Sequence, residues 1–212
     1  MSNTIKTRRK IKYSGKKFNV VYADPPWSYI NTVTGGTSKS SSNSHYETLS
    51  LVELEKLRHK IDEIVSEEAA VLFMWSTTPL LREAMYIMTR WNFRYKTAFV
   101  WIKDKMLGMG NYYRVNTEFL LVGIRGNIKP FKMTRQKNFA VLESDGHSFK
   151  PNYFRELVIL STKNCFHEPD HPKYIELFAR TPYAGWETVG KEVSGESIDQ
   201  ELEKIRLRHN IK

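Results

Sequence analysis

The feature that most constrains the fold is a series of short, almost wholly apolar runs separated by amphipathic stretches. "FNVVYA" (18–23), "AAVLFMWS" (69–76), "YKTAFVWIK" (95–103), "TEFLLVGIR" (117–125) and "KYIELFAR" (173–180) each read as a strand. They show little of the polar–apolar alternation of a strand with one wet face, so most of them are buried on both sides. Ser50 opens "SLVELEKLRHKIDEIV" with Glu53 three residues on, a capping box, and Leu51, Leu54, Leu57, Ile61 and Ile64 recur at helical spacing. "TTPLLREAMYIMTRW" offers Thr78 as N-cap and Pro79 at the first helical position, with Leu81, Met85, Met88 and Trp91 on one face. Pro151 starts a further helix in "PNYFRELVILS", a short strand is expected near Phe139 to Leu142, and "SIDQELEKIRLRH" closes the chain as a charged helix.

This alternation predicts an α/β fold with a mostly parallel twisted sheet and helices on both faces. In such sheets ligands bind outside the carboxyl ends of the strands. "DPPW" (24–27) and Arg180 both end strands, so they share a rim if those strands are parallel. A chain of 212 residues suits one main domain, here 18–193, preceded by a basic arm at 1–17 and followed by a charged helix or tail at 194–212.

The net charge of +10 makes a polyanionic partner plausible. No run of about 18 apolar residues predicts a membrane span. The N-terminus has charge without an apolar core, unlike a secretory signal. A single cysteine, Cys165, excludes an internal disulfide and suits the reducing cytoplasm. Cys165, His167, Asp170 and His171 fall in one loop, but their spacing fits no established metal pattern, and no metal is expected. Oligomeric state is left open, a homodimer included.

"DPPW" suits a specific chemistry. The lone pair of an exocyclic amine on a nucleobase is delocalised into the ring, which makes the nitrogen a poor nucleophile. Two acceptors aimed at its hydrogens would localise that pair. Asp24 supplies a carboxylate and Pro25 a carbonyl, and the Pro25–Pro26 backbone has little freedom, so the acceptors are preorganised. Trp27 offers a ring face for a base, and such stacking contributes about 1–3 kcal/mol.

With this motif in view the chain resembles the MT-A70 family of adenine methyltransferases. The pieces that carry the resemblance occur in order: "YADPPW", "HYETLSLVEL", "VLFMWSTTPLL", "WNFRYKTAFVWIK", "NTEFLLVGIRG", "HSFKP", "IELFAR" and "GWETVGKEV". The resemblance implies a Rossmann-like methyltransferase fold in permuted order, with the catalytic motif early and the cofactor motif late. It implies S-adenosylmethionine as donor and the N(6) of adenine as acceptor. Asp24, Pro25, Pro26 and Trp27 then match the catalytic motif, and Asp24 lies near the charged end of the cofactor. Lys150 matches a lysine that pairs with the cofactor carboxylate, and Glu176 and Arg180 match the ribose-side acid and arginine. Lys191 stands where the family commonly has an asparagine that contacts the cofactor, and it is expected at the cofactor too. Glu118, His45 and Tyr46 match residues near the loops.

Three loops are expected to clamp the nucleic acid: 28–46, 104–116 and 131–148. Besides His45 and Tyr46 they hold Tyr112, Tyr113, Arg114, Lys132, Arg135 and Lys137. Basic groups contact phosphates, and aromatic rings stack or wedge. The compact chain resembles the small phage and bacterial family members, which favours DNA, with the target base flipped out of the duplex. An RNA methyltransferase and a catalytically silent nucleic-acid-binding subunit are the alternatives.

Overall fold

The computed structural model describes residues 17–28, 48–104, 112–132, 136–144, 149–166 and 172–209. The strands are β1 (Val20–Ala23), β2 (Ala69–Thr77), β3 (Arg94–Lys103), β4 (Thr117–Gly126), β5 (Phe139–Leu142), β6 (Tyr174–Leu177) and β7 (Glu187–Val189). They form one sheet in the order β5-β3-β4-β2-β1-β6-β7. The helices are α1 (Leu51–Lys56), α2 (Arg58–Ile64), α3 (Leu81–Arg90), α4 (Tyr153–Thr162), α5 (Lys191–Ser194) and α6 (Ile198–Arg208). The basic arm before residue 17 lies outside the described residues.

The sheet is mostly parallel, as expected. β1 pairs in parallel with β2 and β6, β3 with β5, and β6 with β7. β4 alone runs antiparallel, against both β2 and β3. Its reversal has a positional effect. The start of β4 lands at the rim where β1, β2 and β3 end, with Glu118 paired to Thr77 and Trp101.

Alternate side chains of the central strands point to opposite faces. Val21, Ala23, Ala70, Leu72 and Met74 pack with Leu54, Ile61, Ile64, Ile87, Met88, Leu202 and Ile205, which come from α1, α2, α3 and α6. Val20, Tyr22, Val71, Phe73 and Trp75 pack with Phe154, Leu157 and Val158 of α4 and with Trp186. Both faces are therefore covered, and the expected C-terminal helix contributes to the same core as the sheet.

Local signals explain most element boundaries. The capping box at Ser50 and Glu53 forms in both directions, and a second one joins Ser197 to Gln200 at the start of α6. Thr78 is not the cap of α3: Thr78–Leu80 form a 3-10 turn, and α3 begins at Leu81. Along α3 Ala84, Ile87 and Met88 are buried while Met85 is exposed. The last strand of the reading, 173–180, stops at Leu177 because Phe178 turns the chain at φ 63°. The sequence reading did not anticipate β7 or α5.

Gly190, between β7 and α5, shows why a glycine follows this strand. A Cβ there would lie 2.1 Å from the Ala179 carbonyl oxygen. Gly185 differs, having φ +83° and open space around it. Gly190→Ala should therefore cost about 2–3 kcal/mol of overpacking against rigid backbone. Gly185→Ala should cost only about 1 kcal/mol, the strain of a left-handed backbone. In thermal denaturation Gly190→Ala should lose roughly 4–12 °C, at about 2–4 °C per kcal/mol for a chain of this size, and Gly185→Ala clearly less.

Candidate active site

β1 ends at Ala23, hydrogen-bonded in register between Met74 of β2 and Leu177 of β6. The next four residues are fixed from several sides. The Asp24 N–H donates to the Leu177 carbonyl at 3.4 Å, the Trp27 N–H to the Pro25 carbonyl at 2.8 Å, and the Leu49 N–H to the Pro26 carbonyl at 2.8 Å. The Trp27 indole N–H donates to the Trp75 carbonyl of β2 at 3.1 Å. A motif with two prolines has few amide donors of its own, so its rigidity comes from these neighbours as much as from its rings.

Trp27 is 8% exposed and belongs to the core. Most of its ring therefore anchors the turn, and little of it is left for stacking. The Pro25 carbonyl already accepts one hydrogen bond and keeps its second lone pair.

Lys150, just before α4, reaches the end of β1. Its Nζ lies 2.6 Å from Asp24 Oδ2 and 3.4 Å from Glu118 Oε2, and sits 5.3 Å from the centre of the Trp75 ring. Glu118 Oε1 is in turn 2.5 Å from Lys103 Nζ. Two ammonium groups and two carboxylates thus alternate along the rim, drawn from β1, β3, β4 and the α4 entrance. Burial alone would lower the Lys150 pKa, but Asp24 and Glu118 more than offset it and the net shift is upward. Burial alone would raise Glu118, but Lys150 and Lys103 hold its carboxyl below the ordinary value.

A narrow cleft beside this row is lined by Tyr22, Asp24, Phe149, Lys150, Arg155, Glu176, Phe178, Arg180 and Thr181. It gathers Asp24, Lys150, Glu176 and Arg180, the residues expected at the cofactor. Lys191 is exposed at the start of α5 and is not part of the lining, while its neighbour Glu192 faces Arg180 at 3.6 Å. Glu176 is 4% exposed and is gripped by Arg155, a residue that the sequence reading did not single out. Burial raises the Glu176 pKa, and the Arg155 hydrogen bonds offset this only in part. Tyr22 is also buried, and its hydroxyl accepts from the Trp75 indole at 2.6 Å.

The donor set fits a zwitterionic nucleoside: cations for a carboxylate, acids for an ammonium and for hydroxyls, and Phe149 and Phe178 for a ring. The cleft volume, about 30 Å³, is that of a water or two.

The expected nucleic-acid residues are less concentrated. Tyr112 and Tyr113 are 96% and 87% exposed, and with exposed Arg114 they lie just before β4, at the active rim. Lys132 and Lys137 are exposed but belong to the return from the opposite end of β4 toward β5. Lys137 sits 5.6 Å from the ring centre of Phe139, which pairs with Val100 in mid-β3. These two lysines therefore do not share the rim as expected. His45, Tyr46 and Arg135 lie outside the described residues, as do His167, Asp170 and His171. Cys165 donates its thiol hydrogen to the Ser161 carbonyl, and burial pushes its pKa to about 11.

Replacing Lys150 by methionine would leave Asp24 and Glu118 facing each other without their shared cation. The expected cost is about 2–4 kcal/mol near neutral pH. Because the folded Lys150 pKa is raised, its contribution is complete below about pH 10.4 and is lost as pH climbs through the raised value. Because the Glu118 pKa is depressed, its contribution holds above about pH 4.3 and is lost as pH falls through the depressed value. Urea denaturation should thus show a wild-type advantage over Lys150→Met that is flat from roughly pH 5 to 10 and shrinks on either side.

The MT-A70 family model matches residues 18–192. Similar proteins include the Type II methyltransferase M.MunI of Mycoplasma sp, 34% identical over 87% of this chain and 81% of that protein. The N(6)-adenosine-methyltransferase catalytic subunit METTL3 of Homo sapiens is 24% identical over 84% of this chain and 29% of its own length. A putative N(6)-adenosine-methyltransferase MT-A70-like protein of Medicago truncatula is 23% identical over 91% of this chain and 29% of its own length. The chain thus spans most of M.MunI but less than a third of the other two. With the sheet, the rim motif and a family match over nearly all of its sheet-forming length, this chain belongs to the MT-A70 family of methyltransferases.

Proposed function

We propose that this chain is a DNA adenine-N(6) methyltransferase that uses S-adenosylmethionine and takes its target base flipped out of the helix. The observation that carries the reading is the fixed pair of acceptors, Asp24 and the Pro25 carbonyl, at the rim end of β1 beside a charged cleft. Likeness to M.MunI across most of that protein's length supports a Type II methyltransferase reading. An RNA substrate is the second reading, favoured by the likeness to METTL3 and the plant protein, whose names specify N(6)-adenosine.

When bound, S-adenosylmethionine supplies a methyl group on a positively charged sulfur, which an amine lone pair can take. Lys150 suits its carboxylate end, Asp24 its ammonium, and Glu176 and Arg180 its ribose. The remaining lone pairs of Asp24 and of the Pro25 carbonyl accept the two hydrogens of the adenine amine and draw its own lone pair out of conjugation. The Asp24 carboxylate, paired with Lys150, also stabilises positive charge building on nitrogen. The excess proton leaves the product amine without a strong base.

Tyr112 and Tyr113 stand exposed beside the rim, suited to stack on or wedge between bases. Arg114 adds a phosphate contact. The chain's positive charge adds salt-sensitive attraction to any nucleic acid. No helix among the described residues is long and apolar enough to cross a membrane. A cytoplasmic site of action, where DNA is accessible, belongs to this proposal, as does the division into arm, domain and C-terminal helix.

The test is transfer of labelled methyl from S-adenosylmethionine to duplex DNA, single-stranded DNA and RNA, followed by nucleoside analysis by mass spectrometry. Wild type should form N(6)-methyladenine in DNA. Asp24→Ala should lose at least about 100–1000-fold in rate, the loss typical of removing one preorganised electrostatic group, while keeping its circular-dichroism spectrum. Product in RNA alone would favour the second reading, and an active Asp24→Ala would refute the assignment of Asp24. Tyr112→Ala combined with Tyr113→Ala should weaken nucleic-acid binding by roughly 30-fold or more, at about 1–3 kcal/mol per lost stack.

A further inference from the structure

Glu176 sits in the middle of β6, on the face that Tyr22 of β1 also supplies. Arg155, from the first turn of α4, meets its carboxylate as a fork. Nε donates to Oε2 and Nη2 to Oε1, both at 2.8 Å. The third guanidinium nitrogen, Nη1, donates to Asn152 Oδ1 at 2.8 Å, and the guanidinium carbon stands 5.2 Å from the centre of the Tyr183 ring. Arg155 is itself 9% exposed. Arg155 is therefore held from outside the pair, and its two-point grip keeps the carboxylate plane from rotating freely.

Buried ion pairs of this kind contribute little net stability compared with well-packed apolar residues. Their value lies in fixing a geometry. An ionised carboxylate offers about four lone-pair sites. A bidentate arginine consumes one on each oxygen. One acceptor site remains on each oxygen, and Glu176 lines the cleft. Two acceptors on one rigid carboxylate match two neighbouring hydroxyls on one sugar ring.

Resting on the reading of this cleft as the cofactor site, we infer that Arg155 is a positioning residue. It presents Glu176 as a fixed double acceptor for the vicinal hydroxyls of the cofactor ribose, and thereby makes the site select a ribonucleoside cofactor over its deoxy counterpart. Arg155 does not touch the reacting atoms. It acts through Glu176 and is itself oriented by Asn152 and Tyr183. A buried acceptor left without a donor is costly, so the loss of one cofactor hydroxyl is felt strongly only if the carboxylate cannot turn to find another partner.

The test is calorimetric binding of S-adenosylhomocysteine and of its 2′-deoxy form to wild type, Arg155→Met and Arg155→Lys, with steady-state kinetics alongside. Wild type should prefer the ribose form at least about 10-fold, a lower bound on what a site built to bond a hydroxyl can discriminate. Arg155→Met should lose affinity for the ribose form and bind the deoxy form nearly as wild type does, so that the preference collapses. Its KM for the cofactor should rise much more than its kcat falls. Arg155→Lys, which keeps the charge but not the fork, should fall between. If Arg155→Met does not fold, Glu176→Gln carries the same test, because it keeps the shape and removes one acceptor. Retained preference in the folded variant would overturn the positioning role. Wild type that binds both forms equally would also overturn it while leaving the cofactor reading intact, whereas wild type that binds neither would remove the cofactor reading itself.

Discussion

The ammonium of Lys150, shared between Asp24 and Glu118 at 2.6 and 3.4 Å, is the contact on which the rest of the site depends. Burial alone would drive Glu118 toward the neutral acid. The shared cation removes that pressure. It also gives the Asp24 carboxylate, at the end of a core strand, an ion-pair partner. Lys103 completes the balance by holding the far oxygen of Glu118. The charges are thus compensated before any ligand arrives, and the site carries its electrostatic organisation as part of the fold.

The sheet makes this row possible through the direction of one strand. If β4 ran parallel to its neighbours, Glu118, its second residue, would lie at the far end of the molecule. Run antiparallel between β2 and β3, the strand brings Glu118 opposite Thr77 and Trp101 and within reach of both lysines. Beneath the rim, packed rings support the same geometry. Trp75 meets Phe154 edge to face at 4.7 Å and Trp101 at 6.0 Å, and its indole N–H is taken by Tyr22. Movement of β2 would therefore be felt at the Trp27 anchor and under the Lys150 ammonium together.

Much of this was legible in the residues. Near-continuous apolar runs marked the strands, Ser50 with Glu53 marked a helix start, and Asp-Pro-Pro-Trp at a strand end marked a rigid polar site. Lys150, Glu176 and Arg180 were picked out by family resemblance, and they do converge on one cleft with Asp24. What escaped the reading depends on tertiary position. An apolar run does not reveal its direction, so the reversal of β4 was hidden. Glu187–Val189 is too short to carry a periodic signal, so β7 was missed. Arg155 lies in a helix where a charged residue ordinarily faces water, and only the fold shows that it turns inward to Glu176. Trp27 read as an open stacking face because the sequence cannot show that its indole is tied to the Trp75 carbonyl.

The central claim is that two fixed acceptors grip both hydrogens of the target amine. It is tested most directly by single-turnover transfer to a DNA bearing adenine at the target, compared with the same DNA bearing N(6)-methyladenine there. A methylated amine has one hydrogen left and cannot satisfy both Asp24 and the Pro25 carbonyl. Transfer to it should be slower by about 100-fold or more, in line with losing one preorganised contact, and dimethyladenine should not accumulate. Comparable rates on the two substrates would contradict the account, because a single acceptor would then be enough.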